Sequence, residues 1–221
     1  MNTTKKEQQY EQNLEESTIV EEPLVQYGTL NLDVTKRYTY ADYLTWFDDV
    51  RRELIDGFIH LMSAPLRIHQ RVSAELFIFI NTFVRKRKGK CHIYYAPFDV
   101  RLPKDDETDD DKIYDVVQPD ICVICDLSKL DRRGCIGAPD LMVEILSPSS
   151  LKHDCKIKLN LYEKFGVREY WIVDPRKKTV LVYLLQADGK YNSGIKYEYH
   201  EKAPVHIFEG LEIDLKKLFE E

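Results

Sequence analysis

A glutamate in the middle of an otherwise apolar run, LMVEIL at 141–146, restricts this chain more than any other feature. The run has the length and composition of a buried strand, with turn residues on either side at Pro139-Asp140 and Ser147-Pro148. A charge on such a strand costs several kcal/mol unless it is paired or bound to a cation. Any fold that accommodates Glu144 must therefore bring a cation or a basic side chain against it.

A divalent metal can serve as that cation. Carboxylates sharing one ion must bring their oxygens within about 2.0–2.6 Å of it, so a second ligand must come from an adjacent element. Two aspartates follow proline, Asp120 in QPDICVI and Asp140 in APDLMVEI. Asp140 lies four residues before Glu144 on the same strand, roughly 13 Å away, which is too far to share an ion. Asp120 begins a different strand, and a neighbouring strand passes at about 4.8 Å. Asp120 and Glu144 are thus the expected metal pair, and Asp140 is a strand-start residue.

Downstream, LKHDCKIKLNLYEKFGV reads as a helix from about Leu151 to Phe165 that stops at Gly166. Leu151, Ile157, Leu161 and Phe165 would form its buried face, with Asp154, Lys158 and Tyr162 as a stripe at four-residue spacing beside it. Taken alone, Asp154 and Lys158 make an exposed helix pair worth about 0.3–0.5 kcal/mol. With Glu144 one loop upstream, Lys158 can instead reach a metal site and stabilise charge on a phosphate. Tyr162 reads as a packing residue with its hydroxyl at the rim of the site.

The rest of the chain reads as strands with helices interleaved. Thr39 caps a short helix through ADYLTWF, and RRELIDGFIHLM forms a hairpin across Asp56-Gly57. Val72, Leu76, Phe79, Ile80 and Phe83 mark an amphipathic helix from Ile68 to Lys86, closed by Gly89. Residues 91–102 read as a strand with an irregularity at Pro97, and KDDETDDDK after it as a solvated loop. Three strand runs follow in VVQPDICVIC, PDLMVEILS and REYWIVDP, and TVLVYLL with KYEYH closes a hairpin across Asp188-Gly189. The fold class is α/β, a mixed β-sheet flanked by helices with additional β-hairpins. Residues 1–34, rich in Glu, Gln, Thr and Asn, form a flexible extension, and residues 35–221 one domain.

Within that domain Glu53 is either a third carboxylate from the hairpin or an exposed strand residue. His69, at the start of the long helix, either contacts a phosphate or ligand carboxylate or is a surface histidine. Ser147 lacks a GxSxG elbow and a histidine partner and reads as a turn residue. Cys122 and Cys125 have CxxC spacing, yet no second cysteine pair or His cluster follows, so they are expected to be buried strand thiols. Five cysteines, no apolar run near the roughly 20 residues of a membrane span, and no apolar signal core in MNTTKKEQQYEQNLEES lead to the expectation of a cytoplasmic protein with no membrane partner.

A formal charge of −6 argues against a protein that coats nucleic acid by electrostatics alone. It leaves room for a metal-dependent nuclease, whose carboxylates are acidic by necessity, and basic residues still cluster in RKRKGK at 85–90. The absence of a phosphate-cradling glycine motif removes the common NTPase and dehydrogenase readings.

ELIDG, the downstream His69, QPDICVI, VEILSPSS, DCKIKLNLY and GVREYWIVDP, in this order and at these spacings, resemble the Uma-type restriction endonuclease family of the PD-(D/E)XK nuclease superfamily. The resemblance runs from about Thr39 through the closing EGLEIDLKKLF. It implies a restriction-endonuclease-like core and a Mg²⁺-dependent phosphodiesterase centre, with Mn²⁺ as a substitute ion. Asp120 corresponds to the motif's Asp and Glu144 to its second acidic position. The motif's lysine should stand two residues after the glutamate, where this chain has Leu146; Lys158 is the best-placed substitute and Lys156 the alternative. The implied activity is endonucleolytic cleavage of DNA, favouring a homodimer that cuts both strands. The competing reading is a non-catalytic nucleic-acid- or protein-binding module on the same fold.

Overall fold

In a computed structural model the chain is described over residues 30–105, 107–147 and 153–220, with the backbone alone at 153–155. Most of the expected extension, residues 1–34, lies outside the described residues, as does the side chain of Asp154.

Helix α1 (Tyr40–Tyr43) starts at a capping box in which the Thr39 side chain accepts from Asp42 N and the Asp42 carboxylate accepts from Thr39 N. Strands β1 (Arg52–Ile55) and β2 (Phe58–Leu61) form the expected hairpin. Asp56 and Gly57, both at positive φ, make its two-residue turn. Helix α2 (Arg67–Lys86) follows and buries Val72, Leu76, Ile80 and Val84, while Phe79 and Phe83 are only partly covered. Its left-handed terminal residue is Lys88 (φ 50°) and not Gly89, whose N–H instead reaches back to the Val84 carbonyl.

Strands β3 (His92–Tyr95) and β4 (Asp99–Arg101) occupy the stretch expected to be one strand; the chain changes sheets across the cis Ala96–Pro97 bond. Beyond them lie β5 (Val116–Val117), β6 (Ile121–Ile124), β7 (Leu130–Asp131), β8 (Gly134–Ile136) and β9 (Leu141–Ile145). A π-helical turn (His153–Lys158) leads directly into α3 (Leu159–Phe165), which ends at Gly166 in the left-handed conformation. The remaining elements are β10 (Glu169–Asp174), β11 (Thr179–Leu184), β12 (Ile195–Tyr197), β13 (Lys202–Pro204), β14 (Glu212–Asp214) and α4 (Leu215–Phe219).

The fold class is the α/β class read from the sequence, but the strand runs divide between two six-stranded mixed sheets. One has the order β2-β1-β5-β4-β8-β7 and the other β12-β11-β10-β9-β6-β3, with β13-β14 as a separate pair. β9 and β10 are parallel and joined through α3, whereas β6 runs antiparallel to β9. Alternation along β9 distributes its side chains between two cores. Val143 and Ile145 join α2, α4 and Trp171, whereas Met142 and Leu146 join Val100, Val117, Leu161 and Tyr162. Glu144, between Val143 and Ile145, shares the face of Met142 and Leu146, toward the first sheet and α3.

The π turn corrects one expectation. Its wider i→i+5 winding changes the phase of the helix face. Ile157, assigned to the buried face, is 39 % exposed, and its neighbour Lys158 is 2 % exposed. Leu161 is buried as expected.

The cysteines give a second correction. Cys122 is a buried free thiol, but Cys125 is bonded to Cys91. The antiparallel register that pairs His92 with Ile124 sets Cys91 and Cys125 opposite each other one step further out. Cys122 and Cys135 are held as protonated thiols by burial, which pushes Cys135 up to about 12. Among the described residues, no helix is long and apolar enough to cross a membrane.

Candidate active site at the crossing of the two sheets

Between β5 of one sheet and β6 of the other, the chain crosses in three residues, Gln118-Pro119-Asp120. The polar centre of the molecule is built around this crossing. From the first sheet comes Glu53 on β1, from the second Glu144 on β9, and from the end of the π turn Lys158. Lys158 Nζ donates to Glu53 Oε1 at 2.9 Å and to Glu144 Oε1 at 2.8 Å. The three side chains are 2 %, 5 % and 3 % exposed for Glu53, Glu144 and Lys158 respectively. Glu53, one of whose readings was an exposed strand residue, is thus fully inside.

Tyr162, one helical turn beyond Lys158, donates its hydroxyl to Glu144 Oε1 at 2.7 Å. It is fully buried and packs edge-on against Tyr170, so its hydroxyl lies within the cluster, not at a rim. Desolvation, with Glu144 next, pushes its pKa well above the usual phenol value, which fixes it as a hydrogen-bond donor. Lys156 is exposed. Of the two candidate lysines, the structure brings only Lys158 to Glu144.

Asp120 stands level with Glu144 by register, one step beyond the pair Ile121–Val143. Its Oδ2 accepts from Ile145 N at 2.7 Å, the backbone next to Glu144, and lies 3.1 Å from His69 Nε2. Oδ1 has no hydrogen bond among the described residues, and 16 % of the side chain is accessible. His69, on the first turn of α2, is therefore a contact to a carboxylate, and its buried Nδ1 has no hydrogen-bond partner among the described residues. Asp140 serves elsewhere: it accepts from Cys125 N and pairs with Arg168 at the start of β9.

Gln118 was not singled out in the sequence. Its N–H donates to Glu53 Oε1, while its side chain accepts from Arg51 and donates to Asp99 Oδ1 and, at 3.3 Å, to the Tyr43 hydroxyl. The only signal for it was its place before Pro119-Asp120. It couples the first-sheet carboxylate to the same crossing that delivers Asp120.

Counted over Glu53, Glu144, Asp120 and Lys158 alone, three carboxylates and one ammonium, the formal charge is −2. Such an excess of hard oxygen anions is the chemistry that suits Mg²⁺ or Mn²⁺, and Mg²⁺ is characteristically held by one or two carboxylates together with water and phosphate oxygens. Asp120 and Glu144 fit that demand as a pair. Among the described residues, no group of three or more His, Cys, Asp or Glu side chains converges as a metal cluster.

A crystal structure described as a putative nuclease belonging to DUF820 from Anabaena variabilis ATCC 29413 superposes with a TM-score of 0.66 at 22 % identity, over 82 % of this chain and 97 % of that one. No curated protein matches the chain. The model of the Uma2 family, described as "Putative restriction endonuclease", matches residues 40–216. That span takes in α1, both sheets and every side chain of the buried cluster, and the chain belongs to the Uma2 family.

Proposed function

We propose that this chain is a metal-dependent endonuclease that hydrolyses phosphodiester bonds in DNA, with Asp120 and Glu144 holding Mg²⁺ and Lys158 serving the phosphate. The observation that carries the reading is the buried Glu53–Lys158–Glu144 arrangement level with Asp120. Burying this arrangement costs more than a structural role requires, because apolar residues of the same volume would do as well or better. Membership of a family described as restriction endonucleases supports the reaction class.

A metal bound there would polarise the scissile phosphate and lower the pKa of a bound water. The remaining tasks fall to side chains of this chain. Tyr162 and Lys158 fix Glu144 Oε1 by two donated hydrogen bonds, so its other oxygen is presented in one orientation. Ile145 N does the same for Asp120 through Oδ2, and His69 Nε2 lies against that oxygen at 3.1 Å. Lys158, held between two carboxylates, supplies a fixed positive charge to an oxyanion developing on phosphorus. One centre per chain favours a homodimer for cutting both strands, and a cytoplasmic location suits a DNA substrate.

Asp120→Ala and Glu144→Ala should each abolish Mg²⁺-dependent cleavage of plasmid and single-stranded DNA and weaken Mn²⁺ binding by calorimetry. An intact protein that cuts nothing under any divalent metal, with Mn²⁺ affinity unchanged in Glu144→Ala, would leave the binding-module reading in its place.

A further inference from the structure

The basic run at the far end of α2 has no counterpart in the buried cluster. Arg85, Lys86, Arg87, Lys88 and Lys90 are all exposed, in a chain whose formal charge is −6. None of the five takes part in an ion pair among the described residues. Two acidic residues come near through other contacts. Glu209 offers its backbone carbonyl to Arg87 Nη1 at 2.9 Å, and Asp126 follows Cys125 of the disulfide and turns its carboxylate onto Ser128.

Part of this run has a local explanation. Cations in the last turn of a helix oppose its macrodipole, which accounts for Arg85 and Lys86, and Arg87 lies over the Phe83 ring while anchoring the 209 carbonyl. Lys88 and Lys90 have no such task. Lys88 even occupies a left-handed position (φ 50°), where glycine or asparagine would be cheaper.

We infer that the Arg85–Lys90 end of α2 is a second nucleic-acid contact, a clamp on the phosphate backbone of duplex DNA remote from the cutting centre. The choice of DNA rests on the proposed nuclease reading; the clamp itself rests on the uncompensated charge and on the geometry of α2. The helix joins the two places directly, because His69 on its first turn touches Asp120 and Lys86 closes its last turn. Seventeen residues at about 1.5 Å each separate them by about 25 Å. A duplex lying along α2, at about 3.4 Å per base pair, would meet the clamp about seven base pairs from the scissile bond. The contact carries no base recognition, since lysines on an exposed helix end neutralise phosphates without reading groove edges.

The test is equilibrium binding of a fluorescent 24-base-pair duplex in EDTA, titrated with salt, for the wild type and the triple variant Lys86→Gln, Lys88→Asn, Lys90→Gln. Asparagine tolerates the left-handed position, and none of the three lysines makes a side-chain hydrogen bond or ion pair among the described residues. Each lost phosphate contact should flatten the log–log salt slope by about 0.9 and weaken binding by about eightfold at 0.1 M salt. An unchanged slope with affinity within about twofold overturns the clamp, as does tighter binding of phosphatidylserine vesicles than of duplex. Because no metal is present, the result is independent of cleavage. Lysine-dependent binding by a protein that never cuts sustains the clamp and sinks the nuclease reading, and metal-dependent cutting with unaltered binding does the reverse.

Discussion

Replacing Lys158 by methionine keeps the length and bulk of the side chain and removes only its charge and hydrogen-bond donors. In the folded protein it would leave Glu53 and Glu144, on two different sheets, facing each other across a site almost closed to water. Each of the two lost bonds is charge-assisted and buried, worth about 1.5–3 kcal/mol, and loss of one partner from a buried pair typically costs about 3–5 kcal/mol. Since a domain has only about 5–15 kcal/mol of net stability, Lys158→Met should remove a large share of it. For a domain of this size the melting temperature should fall by about 6–20 °C. Urea unfolding followed by fluorescence of the fully buried Trp171 measures the effect directly. Glu53→Gln in the Lys158→Met background should recover part of the loss, with a coupling of about 0.5–3 kcal/mol between the two sites. A loss under about 1 kcal/mol with an unchanged urea slope, and no recovery in the double variant, would mean that the ammonium is not seated between two buried carboxylates.

Tyr162→Phe deletes the donor to Glu144 Oε1 and should cost about 1.5–3 kcal/mol in urea unfolding, with a fall in any metal-dependent cleavage because Glu144 loses an orienting bond. Asp115, which accepts from Asp56 N at 2.6 Å, has its pKa raised chiefly by desolvation. Its contribution to stability is therefore fully present below about pH 3.8 and lost as pH rises through the elevated folded value. Asp115→Asn keeps the acceptor and removes the charge. The variant should thus gain on the wild type as pH rises from about 3.8, by about 1.4 kcal/mol per unit of elevation, and then level off. Parallel stability curves for the two proteins would contradict the burial cost assigned to Asp115.

Glu144 was legible from the sequence because a charge interrupting an apolar strand admits few explanations, and Asp120 because strand spacing disqualifies Asp140. Lys158 and Tyr162 were legible as a four-residue stripe. Glu53 was not, because RELI in a hairpin looks the same whether its polar side meets solvent or a second sheet. Apolar periodicity states that a strand is buried but not which strand lies beside it, so the division into two sheets and the Cys91–Cys125 pairing, both matters of register, stayed hidden. Ile157 was placed on the wrong face because the stripe was read on α-helical spacing throughout. Gln118 escaped for a different reason: its most important bond to the site is made by its backbone, on which side-chain chemistry is silent.

The π turn at His153–Lys158 is equivalent to one residue inserted into an otherwise α-helical segment. Lys158 is its last residue and Tyr162 lies one turn further on, so the two keep their own four-residue spacing whatever happens upstream. Removing a single residue from 153–157 would allow the segment to rewind as a plain α-helix without disturbing that pair. Length variation among related chains can then accumulate just ahead of Lys158, and an alignment that forbids a gap there would shift the lysine off its true counterpart and count the site as lost.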